Sequence, residues 1–333
     1  MSALAKNYIR KVAIVGATGN SGLYMTNALL ATGKHTVTAI SRADSTATMP
    51  TGVRVAKVDY SEPASLVAAL KGHDALVITM SVMAPPDSEA KLIAAAADAG
   101  VKWILPSEFS PDMADPALSK ETHVGEPKRE NRELIEKLGK SSYVALECGF
   151  WYEWSLAISG AYGFDVAKRT VTMYDDGETK ICTSTWPQVG RAVAKLLSLK
   201  IAPDGPEDKE PTLEMFRNKF LYISSFVLSQ RQIFDSVLRV TGTTEADWTI
   251  TYEPSVERYK RNVGEMYAGS REAFVRQLYT RVFFQDGKGN AEKTRGLHNK
   301  LLGLPMDEDL DEFTKLAIER QQMLEKIGRN ISA

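Results

Sequence analysis

Two groups of residues in this chain have the types and spacing that chemistry needs. The first is Gly16-Ala17-Thr18-Gly19-Asn20-Ser21-Gly22, which follows the apolar run Val12-Ala13-Ile14-Val15 and leads into a helical pattern at Leu23. Strand, glycine turn and helix N-terminus in that order set free backbone N–H groups and a positive helix end against a pyrophosphate, the arrangement of a dinucleotide site. Gly16, Thr18, Gly19, Asn20, Ser21 and Gly22 are its candidate residues. The spacing Gly-x-x-Gly-x-x-Gly is looser than Gly-x-Gly-x-x-Gly, so its meaning depends on the neighbouring elements. Residues 36–40 read as a second strand ending at Ser41-Arg42. An acid there would accept from a ribose 2′-hydroxyl, whereas a guanidinium favours a 2′-phosphate, so Arg42 points to NADP(H).

The second group lies further along. Pro106-Ser107-Glu108-Phe109 follows a predicted fifth strand, and Pro127-Lys128 opens a charged helical stretch. With Pro127 as the first helical residue, Lys128 stands in the first turn, where the helix dipole disfavours a cation by roughly 0.3–1 kcal/mol. A lysine held there suits a general base or a proton-handling electrostatic group, and the other reading is a solvated lysine on a charged helix. Phe150, Trp151, Tyr152 and Trp154 follow the sixth strand. They form either an aromatic wall beside a planar substrate or packing between two lobes.

These residues need a scaffold that brings strand ends together. Apolar runs at 12–15, 36–40, 54–58, 75–79, 103–105 and 143–146 alternate with helical patterns, which predicts a doubly wound α/β fold of Rossmann type. Ligands then sit beyond the carboxyl ends of the strands. That rule adds Asp59, facing an adenine amino group or serving as a turn acid, and Thr79, Met80 and Ser81, near a nicotinamide ribose or in structural use. Ser61 is a candidate cap for a helix containing Pro63, Asp87 or Ser88 for the next, and Gly100 and Gly139 stand where helices should end.

After Trp154 the pattern changes to strands separated by longer polar stretches. The expected division is a nucleotide-binding domain over 1–155 and a smaller α+β substrate lobe over 156–333, with a segment returning to the first domain. Residues 171–174 and 180–184 flank Asp175-Asp176-Gly177-Glu178, which suggests a hairpin. Pro187 opens a helix with Val189, Val193, Leu196 and Leu197 on one face, 221–223 and 248–252 read as strands around a helix at 229–240, and a last helix over 310–327 carries Leu310, Phe313, Ala317, Leu324 and Ile327.

The 333 residues carry 41 basic and 42 acidic side chains, a net charge of -1, which gives no electrostatic reason to expect nucleic acid or an anionic membrane as partner. Cys148 and Cys182 are isolated, and His35, His73, His123 and His298 are scattered, so neither disulfide nor metal site is expected. The polar N-terminus and the lack of a long apolar stretch point to a cytoplasmic protein, with a homodimer as one open arrangement. No tyrosine is followed four residues later by lysine, which removes the Tyr-x-x-x-Lys pair of ordinary short-chain dehydrogenases.

The glycine turn, Arg42, Pro106-Ser107-Glu108-Phe109 and Lys128 together resemble the isoflavone reductase-like branch of the NmrA-like atypical short-chain dehydrogenases, over about residues 11–199. The resemblance implies a hydride transfer from NADPH to a small aromatic or conjugated substrate, with the lysine at position 128 acting on an acidic group of that substrate and Glu108 beside it. It also admits a second class, NADP-binding redox sensors that act through a protein partner without turnover. The chain departs from the pattern in three places. Ser110 follows Phe109 where glycine is usual, Glu147-Cys148-Gly149-Phe150 stands where the plant reductases have a Ser-Asn-x-Phe-type segment, and Gln188-Val189-Gly190 replaces Asp-Ile-Gly. These changes resemble fungal oxidoreductases more than plant enzymes.

Overall fold

The computed structural model describes residues 7–81 and 84–326. The first half runs β1 (Lys11–Val15), α1 (Asn20–Ala31), β2 (Thr36–Arg42), β3 (Arg54–Val58), α2 (Pro63–Leu70), β4 (Ala75–Ile78), α3 (Ser88–Ala99) and β5 (Trp103–Leu105). It continues with α4 (Pro116–Glu121), α5 (Gly125–Leu138), β6 (Ser142–Glu147), β7 (Phe150–Trp151) and α6 (Tyr152–Ser155). The second half holds β8 (Phe164–Asp165), β9 (Thr170–Tyr174), β10 (Ile181–Ser184), α7 (Trp186–Leu197), β11 (Lys219–Tyr222), β12 (Phe226–Leu228) and α8 (Gln230–Thr241). β13 (Thr249–Glu253), α9 (Ser255–Tyr267), α10 (Arg271–Val282), α11 (Ala291–Thr294) and α12 (Leu310–Lys326) complete it.

The main sheet has the order β11-β6-β5-β4-β1-β2-β3. Every pairing in it is parallel, with Val12 opposite Val37 on one side and Ala75 on the other. Helices on both faces bury β1 and β4 almost completely, which is why these strands read as unbroken apolar runs. The chain builds outward in opposite directions from β1 and β4, so their carboxyl ends open a crevice at the switch point.

Local signals account for most helix ends. Pro63 opens α2, while Gly100 and Gly139 close α3 and α5 in the left-handed conformation at φ +80° and +63°. Ser61 does not cap α2: Glu62 occupies the cap position, and Ser61 instead donates its N–H and hydroxyl to Asp59. Asp87 stands at the cap position of α3, but its side chain pairs with Lys91.

After residue 155 the chain returns to the main sheet. α7 buries Val189, Val193, Leu196 and Leu197 and packs on α1, where a Cβ on Gly190 would lie 2.6 Å from the Tyr24 carbonyl oxygen. β11 joins β6 as the edge strand. The expected hairpin at Asp175–Glu178 is absent, because β9 pairs with β8 and β13 while β10 pairs with β7 and β12. The Asp175 N–H bonds Glu253, extending the β9–β13 ladder before the turn carries the chain to the other sheet. These two small sheets share an aromatic core with α8, α10 and α12 that includes Tyr152, Tyr162, Phe164, Phe234 and Phe283. Phe313 and Ala317 of α12 enter it, and Ile327 lies outside the described residues.

Candidate functional site

At the end of β1 the three glycines have distinct physical reasons. Gly16 has φ +80°, and a Cβ there would sit 2.0 Å from the Thr79 carbonyl oxygen; a Cβ on Gly22 would sit 2.0 Å from the Gly16 carbonyl oxygen. The turn is thus pressed against the end of β4 and against its own helix. Gly19 donates its N–H to the Gly16 carbonyl oxygen at 2.9 Å and caps α1 with no side chain satisfying the helix N–H groups and no acid in the first turn. Asn20 and half-buried Ser21 start the helix, and Ser21 hydrogen-bonds Thr79 through their hydroxyls at 3.0 Å. An anion fits such an end on both counts, free donors and unopposed dipole.

The crevice beside this turn is lined by Gly16, Thr18, Arg42, Thr79, Met80 and Ser81, with Ile40, Met49 and Tyr60 supplying apolar surface. Arg42 is 71 % exposed at its rim, 3.5 Å from Asp44. Lys57 joins the same rim, donating to the carbonyl oxygens of Arg42 and Ser45 at 3.2 and 2.6 Å. Asp59 is exposed and does not line the crevice; its carboxylate accepts from Ser61, which holds its pKa below the usual range. The turn-acid reading describes this residue, and Tyr60 beside it faces the crevice instead.

Lys128 belongs to α5, which begins at Gly125, so Pro127 is the third helical residue rather than the first. Gly125 lets α5 start against α4, since a Cβ there would lie 2.1 Å from Ser119 Oγ. Half-buried Lys128 donates from Nζ to the Ser107 carbonyl and, at 2.6 Å, to the Glu108 carbonyl. Two backbone acceptors from the loop after β5 therefore fix the ammonium in place.

The Glu108 side chain departs from its expected place on a substrate surface. It is 1 % exposed and points inward, with Oε1 accepting from Arg132 at 2.6 Å and Oε2 without a partner among the described residues. Its backbone carbonyl, not its carboxylate, reaches Lys128. Glu89 accepts from the Ser107 N–H at 2.7 Å, and burial raises its pKa. Asp112 accepts from the Tyr222 hydroxyl at 2.9 Å and from Arg295 at 2.7 Å. At the end of β6, buried Glu147 accepts from Ser110 Oγ at 3.2 Å and from the Met113 N–H at 3.3 Å.

The aromatic segment divides in two. Phe150 is buried against Tyr279, ring centroids 4.2 Å apart, and Tyr152 is fully buried with its hydroxyl 2.7 Å from Thr314 Oγ1. Both are core residues, which corrects their assignment to a substrate wall. Neighbouring residues of a strand face opposite ways, so Trp151 turns from Phe150 and lies half-buried with its ring 6.0 Å from Phe109. Trp154, also half-buried, packs 6.4 Å from Trp186.

Sequence reasoning quoted Phe109 in the string after the fifth strand and Glu147 as a departure from the family pattern without giving either a task here, and it missed Tyr60, Asp112 and Arg132. Glu147 ends a strand and Phe109 follows one, so the strand-end rule was the available signal for both. The other three come from a loop, a helix and a turn whose approach only the fold reveals. Among the described residues no group of His, Cys, Asp and Glu could hold a metal ion, and no helix is long and apolar enough to cross a membrane.

Known proteins share the fold. The model of the NmrA-like family matches residues 9–153, so the chain is similar to that family over its first half. It is 27 % identical over 269 residues to the oxidoreductase aprR of Aspergillus flavus, covering 78 % of this chain and 82 % of that protein. An isoflavone reductase structure superposes with TM-score 0.70 at 21 % identity, covering 92 % of this chain and 98 % of its own. AtPrR2 with NADP+ and (+)pinoresinol gives TM-score 0.65 at 21 % identity, covering 93 % and 99 %. These structures share the fold.

Proposed function

We propose that the protein is an NADPH-dependent reductase that delivers hydride to a small aromatic or conjugated substrate, with Lys128 handling the accompanying proton. One linked set of contacts carries this reading. Ser88 lines the nucleotide crevice, the adjacent Glu89 holds the Ser107 N–H, and the Ser107 carbonyl holds the Lys128 ammonium. The proton-handling group is thereby tied to the wall of the crevice. The glycine turn and the N-terminus of α1 would hold the pyrophosphate, and Arg42 a 2′-phosphate, with Thr79, Met80 and Ser81 beside the nicotinamide ribose.

When bound, NADPH supplies the hydride, and this chain's residues do the rest. Lys128 gives a proton to, and electrostatically stabilises, the group on which negative charge develops. Trp151 and Phe109 offer aromatic surface next to the loop whose carbonyls seat Lys128, and Trp154 a second half-buried ring. The residues from 156 onward other than α7 and β11 serve as a substrate lobe that limits water. The aromatic substrate class is supported by the pinoresinol held by AtPrR2.

The test is NADPH oxidation with a panel of aromatic ketones, enones and phenylpropanoid-like compounds. Lys128→Ala should bind NADPH normally and lose about 100-fold or more in kcat. Full turnover by that variant removes the mechanism. Complete inactivity of the unaltered protein, together with cofactor-dependent binding of a protein partner, identifies a redox sensor instead.

A further inference from the structure

Arg320 of α12 is a half-buried cation to which the proposed mechanism gives no task. Its guanidinium lies over the Trp186 ring, 4.4 Å from the centroid, and forms no salt bridge or hydrogen bond with a described residue. Arg132, Arg217, Arg231, Arg258 and Arg281 also lie over aromatic rings, and each of them pairs with an acid as well. Arg10, over Tyr8, pairs with no described acid but stands exposed to water. The sequence of α12 accounts for the difference. The residues three and four places from Arg320 are Leu316, Ala317, Met323 and Leu324, so no acid of its own helix reaches it. Tyr24 and Glu153 face it from α1 and α6. Glu153 is turned to the Trp186 N–H, which both its oxygens meet, at 3.1 and 3.3 Å. A cation taken partly out of water without a counter-charge is costly, and a bound anion removes that cost.

The surroundings set what body that anion carries. Trp186 has Tyr24 stacked at 6.1 Å and Trp154 packed at 6.4 Å, while exposed Leu316 and Met323 flank Arg320 along α12. One positive charge among flat and apolar surfaces fits a planar molecule with a single anionic end. The cluster also adjoins the nucleotide site. Tyr24 follows Asn20, the first residue of α1, by four positions, so it lies on the same helix face about 6 Å along the axis from the end that would hold the pyrophosphate.

We propose that Arg320 is a specificity-determining residue that binds the carboxylate of an aromatic acid, and that the substrate belongs to this class. Calling the acid a substrate rests on the reductase reading, whereas its binding does not. The guanidinium fork meets the two carboxylate oxygens, and the aromatic body lies against Trp154, which keeps exposed surface where Trp186 is buried. A neutral ester or ketone of the same shape gains the ring contact and leaves the cation unpaired.

The experiment titrates the full-length protein, saturated with NADP+, with trans-cinnamate and with its methyl ester in a calorimeter, alongside Arg320→Met, Arg320→Gln and Arg320→Lys. The unaltered protein should bind the acid roughly tenfold more tightly than the ester, the size expected of charge-assisted hydrogen bonds at a half-buried site. Arg320→Met and Arg320→Gln should lose that preference with affinity for the ester and for NADP+ unchanged. Arg320→Lys, a charge without the fork, should keep part of it. Arg320→Gln decides the matter if Arg320→Met does not fold. Equal affinity for acid and ester in the unaltered protein, or a preference that survives the uncharged variants, makes Arg320 packing for Trp186 and overturns the inference. A loss confined to NADP+ assigns the guanidinium to the nucleotide and overturns it too. An acid that binds through Arg320 in a protein that reduces no aromatic acid, ketone or enone overturns the reductase reading and leaves the carboxylate site standing.

Discussion

Replacing Arg42 by alanine should change which nicotinamide nucleotide the protein prefers, and the size of the change is set by where the guanidinium sits. It is 71 % exposed, so its attraction to a phosphate is screened by water rather than magnified by burial. Two unit charges about 4 Å apart in water interact by about 1 kcal/mol, and a phosphate near -2 raises this to about 2 kcal/mol, or roughly 30-fold in affinity. Part of that gain is lost because Arg42 must leave Asp44, 3.5 Å away. Lys57 stays on the same rim in the variant and keeps some of the attraction. The expected outcome is an NADPH dissociation constant raised roughly 10- to 30-fold in Arg42→Ala, with NADH binding changed less than about twofold. Fluorescence titration with both nucleotides measures it, and raising the salt concentration should narrow the difference between the two proteins. Asp44→Asn should act in the opposite direction and tighten NADPH. An unchanged ratio of NADPH to NADH affinity in Arg42→Ala refutes the assignment of the rim to a 2′-phosphate.

Two further outcomes test the turn and the second core. Gly22→Ala forces a Cβ to within 2.0 Å of the Gly16 carbonyl oxygen, so thermal stability should drop by about 1–3 kcal/mol and NADPH binding should weaken. Gly264→Ala, at an exposed position of α9 with nothing within 4 Å, should instead stabilise by about 0.5–1 kcal/mol; equal melting shifts in the two variants would contradict the close-approach argument. Glu153 is buried at 3 % exposure, and burial raises its pKa to about 7 from the ordinary 4.5. The folded protein then binds more protons than the unfolded chain between those values, so this group's stabilisation is lost as pH rises, by up to about 3 kcal/mol. Melting temperature should therefore fall more steeply from about pH 5 to about pH 8 in the unaltered protein than in Glu153→Gln, which keeps an acceptor for the Trp186 N–H.

The sheet was legible because its strands obey a local rule. Four consecutive buried residues in β4 have to be apolar when helices cover both faces, and the pattern survives without any knowledge of partners. The hairpin expectation failed for the opposite reason. Asp175-Asp176-Gly177-Glu178 does turn the chain, but turn chemistry says nothing about whether the flanking strands bond to each other or to β8, β12 and β13. Short strands such as β7 and β8, two residues each, carry no period at all.

The same division runs through the site. Gly16, Gly22 and Arg42 announce themselves because a glycine turn after one strand and a cation at the end of the next can both be read from the local sequence. Lys128 was visible as a cation at an unfavourable place in a helix and through the family resemblance, and the structure gives the place a cause: two carbonyls of the loop after β5 seat the ammonium. Glu108 misled because residue type and strand-end position suggested a surface acid, whereas Arg132, a full turn beyond Lys128 on α5, draws its carboxylate inward. Lys128 and Arg132 are thus spaced so that one helix face holds the main chain and the side chain of the same glutamate. A change at Arg132 should disturb the seat of Lys128, since freeing the buried Glu108 carboxylate loosens the residue whose carbonyl anchors the ammonium.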